Sequence, residues 1–178
     1  MSELGNSLKK SSKQSPSLKA RALRLLSMRE YSRKGLAAKL AESAARMLKF
    51  SQPAEGVEAL APETPLEVQI EAVLDDFEAR GWLSDQRFAE ALVRRRSERF
   101  GTRKIQDELK QAGVDSTKAT ELLRGLKETE YQRAHELWLR KFGVLAQEQK
   151  ERARQYRFLA SKGFSSDVVS RVVAGRPD

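Results

Sequence analysis

The chain has 178 residues, a third of them charged, with a formal net charge of +9, 7% aromatic residues and no cysteine. Without cysteine there is no disulfide framework and no thiolate chemistry. No apolar run is long enough to cross a membrane and no signal-peptide core is present, so the expectation is a soluble, cytoplasmic protein with no membrane partner.

Charge is unevenly spread. Residues 1–53 carry 12 Lys/Arg against 3 acids and residues 54–84 carry 1 against 8. Residues 85–112 carry 8 against 5, and 113–178 carry 13 against 9. A basic start, an acidic strip and an arginine-rich middle give two kinds of surface, and the basic part suits a polyanionic partner. Solvation alone is the competing explanation of such charge.

Residues 1–16 are rich in Ser, Lys and Gly and nearly devoid of apolar residues, which predicts a disordered basic tail. Ala22, Leu25 and Leu26 mark a first helix from Leu18; Ser32 caps a second, with Leu36, Leu40, Ala44, Met47 and Leu48 on its face. Four prolines and glycines, Pro53, Gly56, Pro62 and Pro65, make about 51–65 an inserted linker, with one helical turn available at Val57–Leu60. Ile70, Val73, Leu74 and Phe77 define a helix over Leu66–Arg80, closed by Gly81 in the left-handed region. Ser84 and Asp85 are N-cap residues for the helix that buries Phe88, Ala89 and Leu92, and Arg94, Arg95, Arg96 and Arg99 fall in its last turns. Gly101 ends it and Thr102 caps the next helix, whose buried residues are Ile105 and Leu109. After Gly113, Asp115 caps a helix with Ala119, Leu122, Leu123 and Leu126 inside. Glu128–Phe142 follows, stopped by Gly143, and then about Gln147–Lys162 with Ala153, Tyr156, Leu159 and Ala160 inside. Gly163 and Ser165 repeat the stop-and-start signal before Val168, Val169, Val172 and Val173, whose spacing is helical although valine is a poor helix former; the last few residues should fray.

The chain repeats itself. Leu109-x-x-x-Gly113-Val114-Asp115-x-x-x-Ala119-x-x-Leu122-Leu123 aligns without a gap on Leu159-x-x-x-Gly163-Phe164-Ser165-x-x-x-Val169-x-x-Val172-Val173. Tyr31-x-x-x-x-Leu36-x-x-x-Leu40 aligns likewise on Phe100-x-x-x-x-Ile105-x-x-x-Leu109. Chaining the two predicts three units of three helices: 17–82 with the insertion, 83–127 and 128–174. Units this small bury little alone and must stack, so the expected fold is all-α, an elongated, curved array of three tandem three-helix repeats.

There is no catalytic constellation: no phosphate-binding glycine loop, no HExxH and no nucleophile elbow. The lone histidine, His135, shares a helical face with Tyr131, Trp138 and Phe142 and reads as a packed residue. Asp75 and Asp76 point about 100° apart on a helix and do not make a carboxylate pair; with Glu71 and Glu78 they read as a solvated acidic face. The expectation is therefore no enzyme, no metal and no cofactor. The group that stands out is Arg96, Arg99, Arg103 and Lys104 about the Gly101-Thr102 turn. Guanidinium groups and a helix N-terminus both suit anions, whether a phosphate backbone or an acidic protein surface. The plainer alternative is helix-dipole complementation with local ion pairs to Glu98 or Asp107. No aromatic residue is interleaved as a stacking platform, so any nucleic-acid binding should be salt-sensitive and weakly sequence-specific.

The run Gly81-Trp82-Leu83-Ser84-Asp85-x-x-Phe88-Ala89, then Arg94-x-Arg96 and Gly101-x-x-x-Ile105-x-x-Glu108-Leu109, resembles the regulatory RecX family of RecA modulators. Arg29-Glu30-Tyr31-Ser32-x-x-x-Leu36-x-x-Lys39-Leu40 and Phe158-Leu159-Ala160-x-x-Gly163-Phe164 agree with it in order and spacing, and the insertion departs from the short connection usual there. The resemblance covers about Leu18 to Val173 and implies three tandem three-helix repeats. It also implies binding to RecA and to the groove of the RecA–DNA filament, limiting filament growth, ATP hydrolysis, strand exchange and co-protease activity. The partner-contact candidates are Arg94, Arg95, Arg96, Arg99, Arg103 and Lys104, then Arg29, Arg33, Lys34 and Lys39, then Arg152, Arg154 and Arg157. A monomer is expected, with weak direct binding to single- or double-stranded DNA. The alternative readings are a stand-alone helical nucleic-acid-binding module of low sequence specificity and, from the acidic strip, a protein scaffold.

Overall fold

The computed structural model describes residues 16–50 and 64–176, which form nine α-helices and no strand. The expected basic tail, most of the insertion and the last two residues lie outside the described residues. Among those described, no helix is long and apolar enough to cross a membrane. The helices are α1 (Leu18–Met28), α2 (Arg33–Phe50), α3 (Leu66–Ala79), α4 (Asp85–Arg96), α5 (Thr102–Gln111), α6 (Ser116–Glu128), α7 (Glu130–Lys141), α8 (Gln149–Ser161) and α9 (Ser166–Val173).

Three separate cores hold them. Ala22, Leu36, Leu40, Ile70, Val73, Leu74, Phe77 and Leu83 close α1–α3. Ala89, Leu92, Ile105, Leu109, Val114, Ala119 and Leu126 close α4–α6. Ala134, Trp138, Leu159, Phe164 and the four valines of α9 close α7–α9. The close-packed helix pairs fall within one triple, except α6 against α7, and no such pair joins the first triple to the third among the described residues. This is the tandem three-helix array that the internal repeat requires: each unit has its own thin core and meets only its neighbour.

The start signals hold at Ser32, whose Oγ accepts from Gly35 N at 3.0 Å, at Ser84, which accepts from Arg87 N, and at Asp115, which accepts from Thr117 N. Several details differ from expectation. Helix α4 ends at Arg96, so Arg99 stands in the turn that follows, and Gly101 is the N-cap of α5 with Thr102 its first residue. The helix expected from Glu128 begins at Glu130; α6 runs through Glu128, and Thr129 alone separates the two, its Oγ1 donating to the Gly125 carbonyl. In α8, Ala160 faces solvent and Gln155 is buried instead, at the position where the second repeat has Ile105. Its amide accepts from Trp138 Nε1 at 2.9 Å and donates to the Val144 carbonyl, so the 142–148 loop is pinned over the end of the last repeat. A buried amide is tolerable there because both of its ends are bonded.

The acidic face of α3 is not simply solvated. Arg33 at the start of α2 donates to Glu78 at 2.6 Å, to Asp75 at 2.7 Å and to Glu71. Partial burial opposes the Arg33 charge, but the hydrogen bonds to Asp75, Glu71 and Glu78 outweigh it and raise its pKa above the ordinary value. Asp76, the other half of the adjacent pair, points elsewhere: Arg80 bonds it at 2.8 Å and Lys19 of α1 at 3.0 Å.

Two outcomes are expected. Hydrogen bonds from Arg80 and Lys19 hold the Asp76 carboxyl below its ordinary range. Its stabilising effect is therefore present above the ordinary aspartate range and lost as pH falls through the lowered pKa. In urea titrations at several pH values, Asp76→Asn should lower stability near neutrality and converge on the wild type in acid, flattening the acid limb. A Cβ at Gly101 would lie 2.2 Å from the Phe164 backbone nitrogen, whereas one at Gly125 meets nothing within 4 Å. Gly101→Ala should cost ~2–4 kcal/mol by overpacking backbone on backbone. Gly125→Ala, inside α6, should gain ~0.5–1 kcal/mol in the same denaturation series.

Candidate functional site

The repeats are joined twice, by the same device. The first backbone N–H of α2, at Arg33, donates to Oδ1 of Asp85 in the first turn of α4, at 2.8 Å. The first backbone N–H of α5, at Thr102, donates to Oε1 of Glu130 in the first turn of α7, again at 2.8 Å. In each joint a carboxylate from the next repeat satisfies the open N-terminus of the preceding repeat's second helix. Each also seats a turn glycine on that helix start: Gly113 (φ +80°) against the Lys34 side chain, and Gly163 (φ +86°) against Lys104. An arginine completes both, Arg87 to Glu30 at 3.0 Å in the first joint and Arg133 in the second.

The second joint is the tighter. Gly101 N donates to the Lys162 carbonyl at 3.0 Å. Glu130 and Thr102 are both buried. Arg133 donates to the carbonyls of Ser97 and Phe100 at 2.8 Å and of Leu126 at 2.7 Å, tying the end of α4 to α6 and α7. Burial pushes the Arg133 pKa down, against the charge of nearby Glu130. A guanidinium remains charged under that pressure.

This joint gathers the basic residues. The Phe100 ring lies between Lys104 Nζ at 4.8 Å, the Arg96 guanidinium at 5.1 Å and Lys162 Nζ at 5.7 Å. Lys162 also sits 5.4 Å from the Phe158 ring. Two of these cations come from the second repeat and one from the third, so the site exists only when the joint is closed. Arg96 pairs with Glu108 at 3.0 Å. That is the local ion pair expected of the cluster, with Glu108 in the place of Glu98 or Asp107. Arg94, Arg95, Arg99 and Arg103 are exposed, and their side chains form no ion pair among the described residues. Arg103 and Lys104 line a shallow polar groove with Asp107, Gln111 and Ser161, which continues the surface between the repeats.

Contrary to the sequence expectation, an aromatic residue does sit among the cations. Phe100 is their common anchor, and its ring is occupied by them rather than left open as a stacking platform. Each such contact is worth ~0.5–1 kcal/mol at an exposed site and chiefly fixes where the charges stand. Lys162 was missed because its place in the third repeat corresponds to Ala112 in the second, so no periodic signal marks it.

The other candidates are dispersed. Arg33 is committed to the α3 carboxylates and is not available to a partner, and Lys39 pairs with Glu42 at 2.6 Å. The Lys34 stem packs on Gly113, and Arg29 lies exposed over Tyr31 at 4.5 Å. Arg154 pairs with Glu151, while Arg152 and Arg157 line a groove between α8 and α9. His135 is half-buried between the rings of Tyr131 and Trp138, at 6.1 and 5.7 Å, as a packed residue would be.

The joint carboxylates are testable by substitution. Glu130→Ala, which orphans a buried N–H, should cost ~1–3 kcal/mol, and the more exposed Asp85→Ala nearer 1 kcal/mol. Hydrogen exchange should speed up at the Thr102 and Arg33 amides respectively.

Comparison with known proteins agrees with this organisation. Residues 84–123 match the description "RecX, second three-helix domain" and 128–173 "RecX, third three-helix domain". The chain is 46% identical to the regulatory protein RecX of Leptothrix cholodnii, over 88% of this chain and 87% of that one. It is 41% identical to that of Herminiimonas arsenicoxydans, over 91% and 94%. Among solved structures, a regulatory protein RecX superposes with a TM-score of 0.64 at 22% identity, covering 87% of this chain and 70% of that chain. RecX from Lactobacillus salivarius gives 0.62 at 19%, covering 89% and 93%.

Proposed function

The chain belongs to the regulatory RecX family, and from that premise we propose that it is a negative regulator of RecA that binds RecA and the groove of the RecA–DNA filament. Bound there, it limits filament growth, ATP hydrolysis, strand exchange and co-protease activity, and it carries out no hydrolysis of its own. The observation that carries this reading is the composite basic joint: Arg96, Lys104 and Lys162, from two repeats, held on one ring beside Arg94, Arg99 and Arg103, which form no ion pair among the described residues. A filament is a repeating surface of protein carboxylates and DNA phosphates. A row of repeats with rigidly spaced cations matches such a target better than a single recognition helix does. Direct DNA contact, in this reading, is an electrostatic supplement and weakens with salt. The protein works as a cytoplasmic monomer.

The test is single-stranded-DNA-dependent ATP hydrolysis by RecA, with this protein added below one-to-one. The wild type should suppress hydrolysis substoichiometrically. A variant with Arg94, Arg99 and Arg103 changed to Ala should need about tenfold more protein, the factor that ~1.4 kcal/mol represents. Those three side chains carry no ion pair among the described residues, so the variant should keep the wild-type unfolding midpoint. Suppression only at DNA-coating amounts, relieved by excess DNA, would replace this reading with simple competition for the strand.

A further inference from the structure

The second and third repeats differ where their last two helices meet. Carried six residues before its start and one past its end, the 50-residue offset that superimposes Leu109–Leu123 on Leu159–Val173 sets Ala153 against Arg103 and Ala174 against Arg124. Two arginines in the second repeat are thus two alanines in the third. A groove of about 360 Å³ lies there, between α8 and α9. Its apolar walls are Ala153, Tyr156, Val173 and Ala174, and Arg152 and Arg157 line it as well. No acidic residue lines it among the described residues. Arg157 makes no ion pair among the described residues, and Arg152 reaches only the Ala146 carbonyl, at 3.5 Å.

We propose that this groove is a docking site for an acidic protein segment, one that inserts an apolar side chain between α8 and α9 and sets carboxylates on Arg152 and Arg157. Charge complementarity selects the sign of the occupant, because two guanidinium groups with no carboxylate partner among the described residues flank the cleft. The aliphatic walls select its class. A phosphate backbone would satisfy the arginines but bury nothing against Ala153, Val173 and Ala174, whereas an apolar anchor gains from leaving water. A second copy of the chain is a poor occupant. Its α3 carboxylates are already bonded to Arg33, Arg80 and Lys19, and two copies at +9 repel. The site is distinct from the basic joint and does not rest on the RecA reading.

The experiment uses the full chain and a fluorescein-labelled twelve-residue peptide of glutamates carrying two leucines four positions apart, followed by anisotropy. Saturable micromolar binding is expected, with at least a tenfold loss when the leucines become serine. The decisive variant is Ala153→Arg, which installs the second repeat's residue, adding positive charge while filling the groove. It should weaken the peptide at least tenfold, whereas a merely electrostatic surface would bind tighter. Ala174→Arg fills the opposite wall and serves if Ala153→Arg shifts the unfolding midpoint. Several results would overturn the proposal: no saturable binding, equal binding of the serine peptide, or undiminished binding by both filled variants. So would a twelve-residue oligothymidylate that competes for the groove and loses affinity in the same variants, or peptide-independent self-association in sedimentation that those variants abolish.

Discussion

Each joint of this array turns on one hydrogen bond, from the first N–H of a repeat's second helix to a carboxylate at the start of the next repeat: Arg33 to Asp85 and Thr102 to Glu130. A helix start has open donors and a positive dipole end, and both must be met when the end is covered by protein. Because the partner is also the first residue of a helix, one contact sets the position of a whole repeat. The glycines at 113 and 163 follow from this. With the helix start pulled against the next unit, the turn opposite approaches so closely that a side chain at 163 would collide with Lys104 and one at 113 would press tightly on Lys34.

The two joints share a plan and differ in weight. The first is built mostly from charges at the surface, Asp85 on α2 and Arg87 on Glu30. The second buries Glu130 and Thr102, brings backbone against backbone at Gly101 and Gly163, and engages three carbonyls with one arginine. Surface pairs are individually weak and screened by salt, whereas buried, fully bonded groups are costly to separate. The second joint is therefore the harder of the two to open.

Sign and number of charges say little about which ones meet a partner. Arg33, at the helix start equivalent to Thr102, lies over the α3 carboxylates, where three of them absorb it. Arg94, Arg99 and Arg103 have no such neighbour among the described residues. Their availability is a matter of what surrounds them in space, not of composition.

Much of the architecture was legible in the chain alone: the helical spacing of Ile70–Phe77 and Ile105–Leu109, the serine and aspartate caps, the stop glycines and the offset repeats that demanded three stacked units. These are local or periodic, and the backbone responds to them locally. Only the tertiary structure decided the rest. It recruited Lys162 from the third repeat to the second's basic turn, turned Thr102 from a cap into a capped residue, buried Gln155 where Ile105 set the precedent, and left a groove between α8 and α9 lined by Ala153 and Ala174. Each of these depends on which residues from distant parts of the chain come within a few ångströms. Hydrogen-bond demand and steric fit settle that only once the repeats are docked.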